Sequence, residues 1–388
     1  MTGVLWLSWR AVTARPLVSL LLALCVGVSV ALPITSTLLL DRFETSLRAR
    51  ADATPIVVGP DVSRFDLVFA SLYFREADIE PVPRALATDA RAEGITVIPL
   101  RINDSIRSRP LVGTDDTYYE HRAITPEVGE LPFLLGDIAL GANAARDLRI
   151  TTGDTITTDP PDGLNLAAGA PVELSVVGVL RPTGTPDDDA VFCSLPTAWL
   201  AEGKLHGHDD ARTIEGEANL IGATESHVAL TGAVPTARAV TDETRADFHF
   251  HASPDELPLT ALVVVPDTDK DETLALARLD ALPGVRALRS ADVVEELLRT
   301  VVGIKSAIDT VSALFIATTA ALLVLIFWLT SRLRADETRT IRDIGAARST
   351  TALLFASEAA IILASGLAIA AALSITASLI AERALPWV

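Results

Sequence analysis

The stretch "RADETRTIRDIGAARSTTALLFASEAAIILASGLAIA", residues 334 to 370, joins a short arginine-rich segment to a long apolar one. The apolar part runs on from Thr351 to Ile380, interrupted by one charge, Glu358. That exceeds the ~20 apolar residues needed to cross a bilayer. Two further runs, 16–40 and 310–331, are of similar character and carry no charge at all. The expectation is a membrane protein with three α-helical transmembrane spans: 16–40, 310–331 and 351–380.

Arginine placement orients the spans. Residues 332–350 hold five Arg against three acids, and residues 1–15 hold two Arg and no acid. Cytoplasmic segments carry such a bias. The expected order is a cytoplasmic amphipathic segment (1–15), an extracytoplasmic domain (41–309), a cytoplasmic loop (332–350) and an extracytoplasmic tail (381–388). The first run is too long for the ~7–15-residue core of a signal peptide, so it reads as an uncleaved anchor with Pro33 as a kink. By this reading the protein sits in the bacterial cytoplasmic (inner) membrane, in contact with lipid.

Segment 41–309 holds 45 Asp and Glu against 24 Lys and Arg. That charge argues against nucleic acid as a partner. The two cysteines, Cys25 in a span and Cys193 in the acidic segment, form no disulfide framework. No Walker A motif occurs, because Gly203-Lys204-Leu205 lacks the upstream Gly and the following Ser or Thr. No nucleophile–base pairing is visible, and the chain does not read as an enzyme.

Alternation and turn chemistry predict a large α+β extracytoplasmic domain. Residues 50–128 and 258–300 read as an α/β lobe, with a β-rich lobe, 129–257, inserted between them. Within 259–309, "LTALVVV" reads as a strand, Asp271 to Leu282 as a helix, "GVRAL" as a strand, and Ser290 as the cap of a last helix. That helix meets no Pro before the second run, and unbroken to Arg332 it would be roughly 60 Å long at ~1.5 Å per residue.

In the loop, Glu337, Arg342, Ile344, Gly345, Ala346 and Arg348, then Glu358 and Gly366 in the span, form a spaced pattern. This pattern, with the "ALGANAARDL…GD…VVGVL" run of the β-rich lobe, resembles the FtsX-like permeases of ABC transporters, of the MacB/LolCE type. The resemblance implies that 332–350 is a coupling loop, with Glu337, Arg339, Arg342, Ile344, Gly345 and Arg348 docking on a separate ATP-binding subunit that hydrolyses ATP. It implies a homodimer or a paired permease, and an extracytoplasmic binding protein as a further partner. Family members have four spans; only 38 residues follow Thr350 here, so a short variant lacking the fourth span is expected.

In the third span, Gly366, Ala370, Ser374 and Ser378 recur every four residues. A small-residue stripe lets helices approach closely in lipid. Four of the six histidines form two pairs, His206 with His208 and His249 with His251. On strands each pair shares one face, and facing pairs would make an imidazole site suited to zinc. No other cofactor is expected in this chain. Two functions are consistent with these readings. One is a permease that couples an ATPase to motion of its outer domain, in transition-metal (zinc) handling. The other is an FtsX-like regulator that transmits ATPase motion to an external enzyme or partner without transport.

Overall fold

Apolar side chains placed all round a helix need lipid or protein on every side, and three helices here have that character. A computed structural model describes residues 2–75, 79–92, 94–160, 171–207, 220–223, 228–230, 238–241, 245–250 and 252–384. In chain order the helices are α1 (Thr2–Ala14), α2 (Pro16–Asp52), α3 (Arg64–Tyr73), α4 (Ala85–Ala92), α5 (Asp116–Arg122) and α6 (Ala142–Leu148). They continue as α7 (Leu195–Ala201), α8 (Asp269–Leu279), α9 (Ser290–Leu333), α10 (Ala335–Asp343) and α11 (Arg348–Ala384). Among the described residues α2, α9 and α11 are long and apolar enough to cross a membrane. Pro33 lies inside α2 without ending it. The chain divides into two units, one of Met1–Ser46 with Glu296–Val388, the other Leu47–Glu295.

In the helical unit the contacts are made by small residues. Gly27 of α2 and Gly366 of α11 lie where a Cβ on either would fall 2.7 Å from the opposing helix's Ile369 or Val26. Hydroxyls join the helices elsewhere: Thr35 donates to Ser374 at 3.0 Å, and Ser29 meets Thr319 of α9 at 2.8 Å. Helix α1 packs on α11, where the Ser8 hydroxyl donates to the Leu354 carbonyl at 3.1 Å. Much of α9 stays uncovered, with Leu314, Val324, Leu325 and Trp328 each more than half exposed.

The second unit is built on one sheet that crosses the lobe boundary expected from sequence. Its order is Arg238–Ala239, Val172–Leu180, Asp137–Leu140, Val191–Ser194, Arg109–Thr114, Thr96–Ile106, Ala261–Val265, Ile56–Pro60 and Val285–Arg289. Strands Pro126–Gly129 and Thr155–Thr157 also pair with Val172–Leu180. The join lies between Arg109–Thr114 and Val191–Ser194, which run parallel with Leu111 opposite Val191 and Thr114 opposite Ser194. The inserted lobe is therefore an extension of the same sheet. Its alternating strand, Val172–Leu180, buries every second residue, as a one-sided strand should. The "ALVVV" strand is buried at four consecutive positions: Leu262 and Val264 face one apolar cluster, and Val263 faces another on the opposite side.

Two neighbouring strands carry the connections to α2 and α9. Ile56–Pro60 follows α2, Val285–Arg289 precedes α9, and the two pair antiparallel with Ile56 opposite Arg289. The Ser290 amide donates to the Pro55 carbonyl at 3.1 Å. Arg48 and Glu295, one helical turn further from the sheet on each side, form an ion pair at 3.1 Å. The end of α2 and the start of α9 are thus fastened side by side.

Candidate functional site

The loop between α9 and α11 is a built element. Helix α10 has Asp336 and Glu337 in its first turn and Arg342 in its last; both placements complement the helix dipole. Arg334, just before it, donates to Glu337 at 2.9 Å and to Glu358 of α11 at 3.4 Å. Its guanidinium also lies 5.8 Å from the centre of the Phe355 ring. The hydrogen bond from Arg334, and then its charge, hold the Glu337 carboxyl below its ordinary pKa. Sequence reading passed over Arg334. Its spacing of three from Glu337 on a helix-starting segment was the available signal.

Ile344 and Gly345 are not part of the helix body. Ile344 is the C-cap and Gly345 follows it at φ +108°. The Gly345 amide donates to the Arg342 carbonyl at 2.9 Å and the Ala346 amide to the Ile341 carbonyl at 3.2 Å. These two bonds make a Schellman stop, in which glycine takes the left-handed position without a Cβ clash. The stop turns the chain, and Ile344 stands at the turn, 82% exposed. Glu337, Arg339, Arg342 and Arg348 are exposed too. The result is one uncovered aliphatic side chain with arginines before and after it in sequence.

The four small residues of α11 are spread along its length. Gly366 meets Val26 and the Ala23 carbonyl of α2, Ala370 is buried, and Ser374 accepts from Thr35. Ser378 is half-buried. Gly27 and Thr35, their counterparts on α2, were not singled out from sequence.

Of the histidines, His206 lies on the strand Leu205–Gly207 and His249 on Phe248–Phe250. These strands pair antiparallel with His206 directly opposite His249. Phe248 and Phe250 pack against the core while His249 is exposed. His208 and His251 lie outside the described residues.

No family model matches this chain, and no curated protein matches it. Among the solved structures similar to it are the following two. The periplasmic region of MacB from Actinobacillus actinomycetemcomitans aligns at 12% identity and a TM-score of 0.35, over 63% of this chain and 92% of that one. The extracellular domain of the noncanonic ABC-type transporter YknZ from Gram-positive bacteria aligns at 9% identity and a TM-score of 0.33, over 60% of this chain and 98% of that one.

Proposed function

We propose that this chain is the membrane subunit of an ABC-type assembly. In this reading it couples a separate ATP-binding subunit to motion of its α/β unit on the other side of the membrane. The observation that carries it is the α10 element: a dipole-matched helix, a Schellman stop and an exposed Ile344 among arginines. Topology alone would ask for arginines there. It would not ask for a structured stop that holds an aliphatic side chain in water, where its apolar surface is unfavourable. A soluble partner with an acidic rim and an apolar dimple fits that shape. The arginine bias supports a cytoplasmic position for this loop, where ATP is, with the acidic unit outside. The fastened pair of helix ends, α2 and α9, gives such motion a route into the sheet.

The same geometry serves a non-transporting regulator that moves an external enzyme or partner. Co-purification of an ATPase activity with the full chain, lost in Ile344→Asp while membrane insertion persists, tests the coupling common to both. A rise in that activity on adding cargo favours transport; a tight external protein partner favours regulation.

A zinc role is the finer part of the proposal. His206 and His249 opposite each other on paired strands have Cβ atoms about 4.5–5.5 Å apart by ordinary sheet geometry, a spacing that two imidazoles on one ion can use. Zinc would be held by these two with further ligands. The metal is read as cargo or signal at the α/β unit.

A further inference from the structure

A cleft of about 400 Å³ opens on the α/β unit, between α4, the start of α5 and the start of α7. It lies at the small end of the range for small-molecule sites, roughly 300–1,000 Å³. Four charged side chains line it: Arg84, Arg91, Asp115 and Asp116. Two of them satisfy each other. Arg91 donates to the Asp115 carboxylate at 2.6 Å and to the Val97 carbonyl, and Asp115 also accepts from the Thr117 hydroxyl.

The other two have no ion-pair partner among the described residues. Among the described residues the Arg84 guanidinium has no hydrogen-bond or ion-pair partner. Among the described residues the Asp116 carboxylate accepts only the neighbouring Thr117 amide, at 3.1 Å through Oδ1. Beside them the cleft has an apolar wall. Phe133, 53% exposed, leans edge-on against Tyr119, with ring centroids 5.9 Å apart, and Pro196 lies on the same lining.

We propose that this cleft binds a small zwitterion with an apolar body, its carboxylate on Arg84, its ammonium on Asp116 and its body against Phe133. A guanidinium matches a carboxylate in two parallel hydrogen bonds. A purely anionic ligand would meet the Asp116 charge, and a neutral one would cover both charges without pairing them, which is costly. Apolar amino acids and short apolar peptides share this chemistry. The inference does not rest on the coupling of α10 to an ATPase.

The test is calorimetric titration of the full chain in detergent with L-phenylalanine and L-leucyl-L-phenylalanine, beside two probes that each lack one charge. Saturable binding of either zwitterion is expected. Phenylalanine amide, without the carboxylate, and N-acetylphenylalanine, without the ammonium, should bind about tenfold or more weakly, the usual loss for one charged hydrogen bond. Arg84→Gln should weaken phenylalanine by about the same factor and leave the amide unchanged. Asp116→Asn should weaken phenylalanine and its amide but not the N-acetyl compound, which is freed of a repelling charge. No binding of either zwitterion by the wild-type chain, equal binding of all the probes, or undiminished phenylalanine binding in either variant would overturn the assignment. The compound-by-variant pattern separates loss of a ligand contact from loss of fold, since an unfolded variant loses all compounds alike.

Discussion

Arg50 and Asp187, 137 residues apart, form a two-pronged ion pair inside the α/β unit, with Nη1–Oδ2 at 2.8 Å and Nη2–Oδ1 at 2.9 Å. Both side chains are 3% exposed. Arg50 lies in the last turn of α2; its Nε donates to the Leu72 carbonyl at 2.8 Å, and the ring of Phe74 sits 5.5 Å away. Asp187 also accepts from the hydroxyls of Tyr118 and Thr185. From α5, His121 bonds the Ala53 carbonyl at 2.9 Å, and Arg122 donates to the Thr54 hydroxyl. The end of α2 is therefore gripped by α5 and by the segment around Asp187. In the coupling proposal this is where movement of α2 enters the sheet.

Removing one partner should be far worse than removing both. Arg50→Met leaves the Asp187 carboxylate buried with its main counter-charge gone, a loss of about 3–5 kcal/mol in comparable pairs. Arg50→Met with Asp187→Leu should recover much of that, because apolar replacement of a whole buried pair is often neutral. Denaturant unfolding of the α/β unit within the full chain measures both. A double variant as unstable as the single one would refute this reading.

The pair also sets an acid limit. Burial pushes the Asp187 carboxyl up, but Arg50, Arg122 and the Tyr118 hydroxyl outweigh it, and its pKa is lowered below the ordinary 3.8. A carboxyl with a lowered folded pKa contributes its stability above the unfolded value and loses it as pH falls through the folded one. Stability from this group should thus be flat above about pH 5 and decline only in stronger acid. In Arg50→Met the main cause of the lowering is gone, so this group's loss of stability in acid should shrink or reverse, because protonation relieves the buried carboxylate left without its counter-charge. Unfolding midpoints measured across pH 2–7 in both proteins check this, and identical profiles would dissociate Arg50 from the acid limit.

Gly345→Ala should weaken the stop after α10 by about 1–2 kcal/mol locally, because a Cβ is strained at positive φ. Gly345→Pro is worse, since proline fixes φ near −65° where +108° is needed. Co-purified ATPase should fall in the order wild type, Ala, Pro, with equal membrane insertion throughout. An undiminished yield in the proline variant would remove the coupling role.

At Gly366 a Cβ would lie 2.7 Å from Val26 and 3.0 Å from the Ala23 carbonyl. Gly366→Leu should force α2 and α11 apart, costing about 1–3 kcal/mol, as overpacking does. Gly303, on α9, has open space around its Cβ position, so Gly303→Ala should cost nothing and adds helix propensity. Melting temperatures in detergent compare the two. Equal effects would show that the Gly27–Gly366 approach does not hold the helices.

If His206 and His249 hold zinc, the full chain should bind about one ion, and affinity should fall as pH drops through ~6.5, where imidazole protonates. His206→Ala and His249→Ala should each remove most of the binding, because a tetrahedral site loses a needed ligand either way. Binding at micromolar zinc that survives both changes would place the metal elsewhere.

Hydropathy and charge are properties of consecutive residues, so the three apolar helices, the basic segment between two of them and the acidity of 41–309 were legible along the chain. The strand over "LTALVVV" and the helix beginning at Ser290 were legible too, because alternation and capping act within a few residues. The glycine stop at 345 was half legible: the residue was noticed, but its positive φ depends on bonds that form only once α10 does. Three features had no local signature. Arg50 finds Asp187 only after the sheet has brought α5 and the Asp187 segment to the end of α2. The union of both lobes in one sheet depends on the pairing of Leu111 with Val191. His206 stands opposite His249 in register, a pairing consistent with Phe248 and Phe250 packing on the core, since burial of one face specifies register. Contacts between residues far apart in sequence are set by packing, and packing exists only in the folded chain.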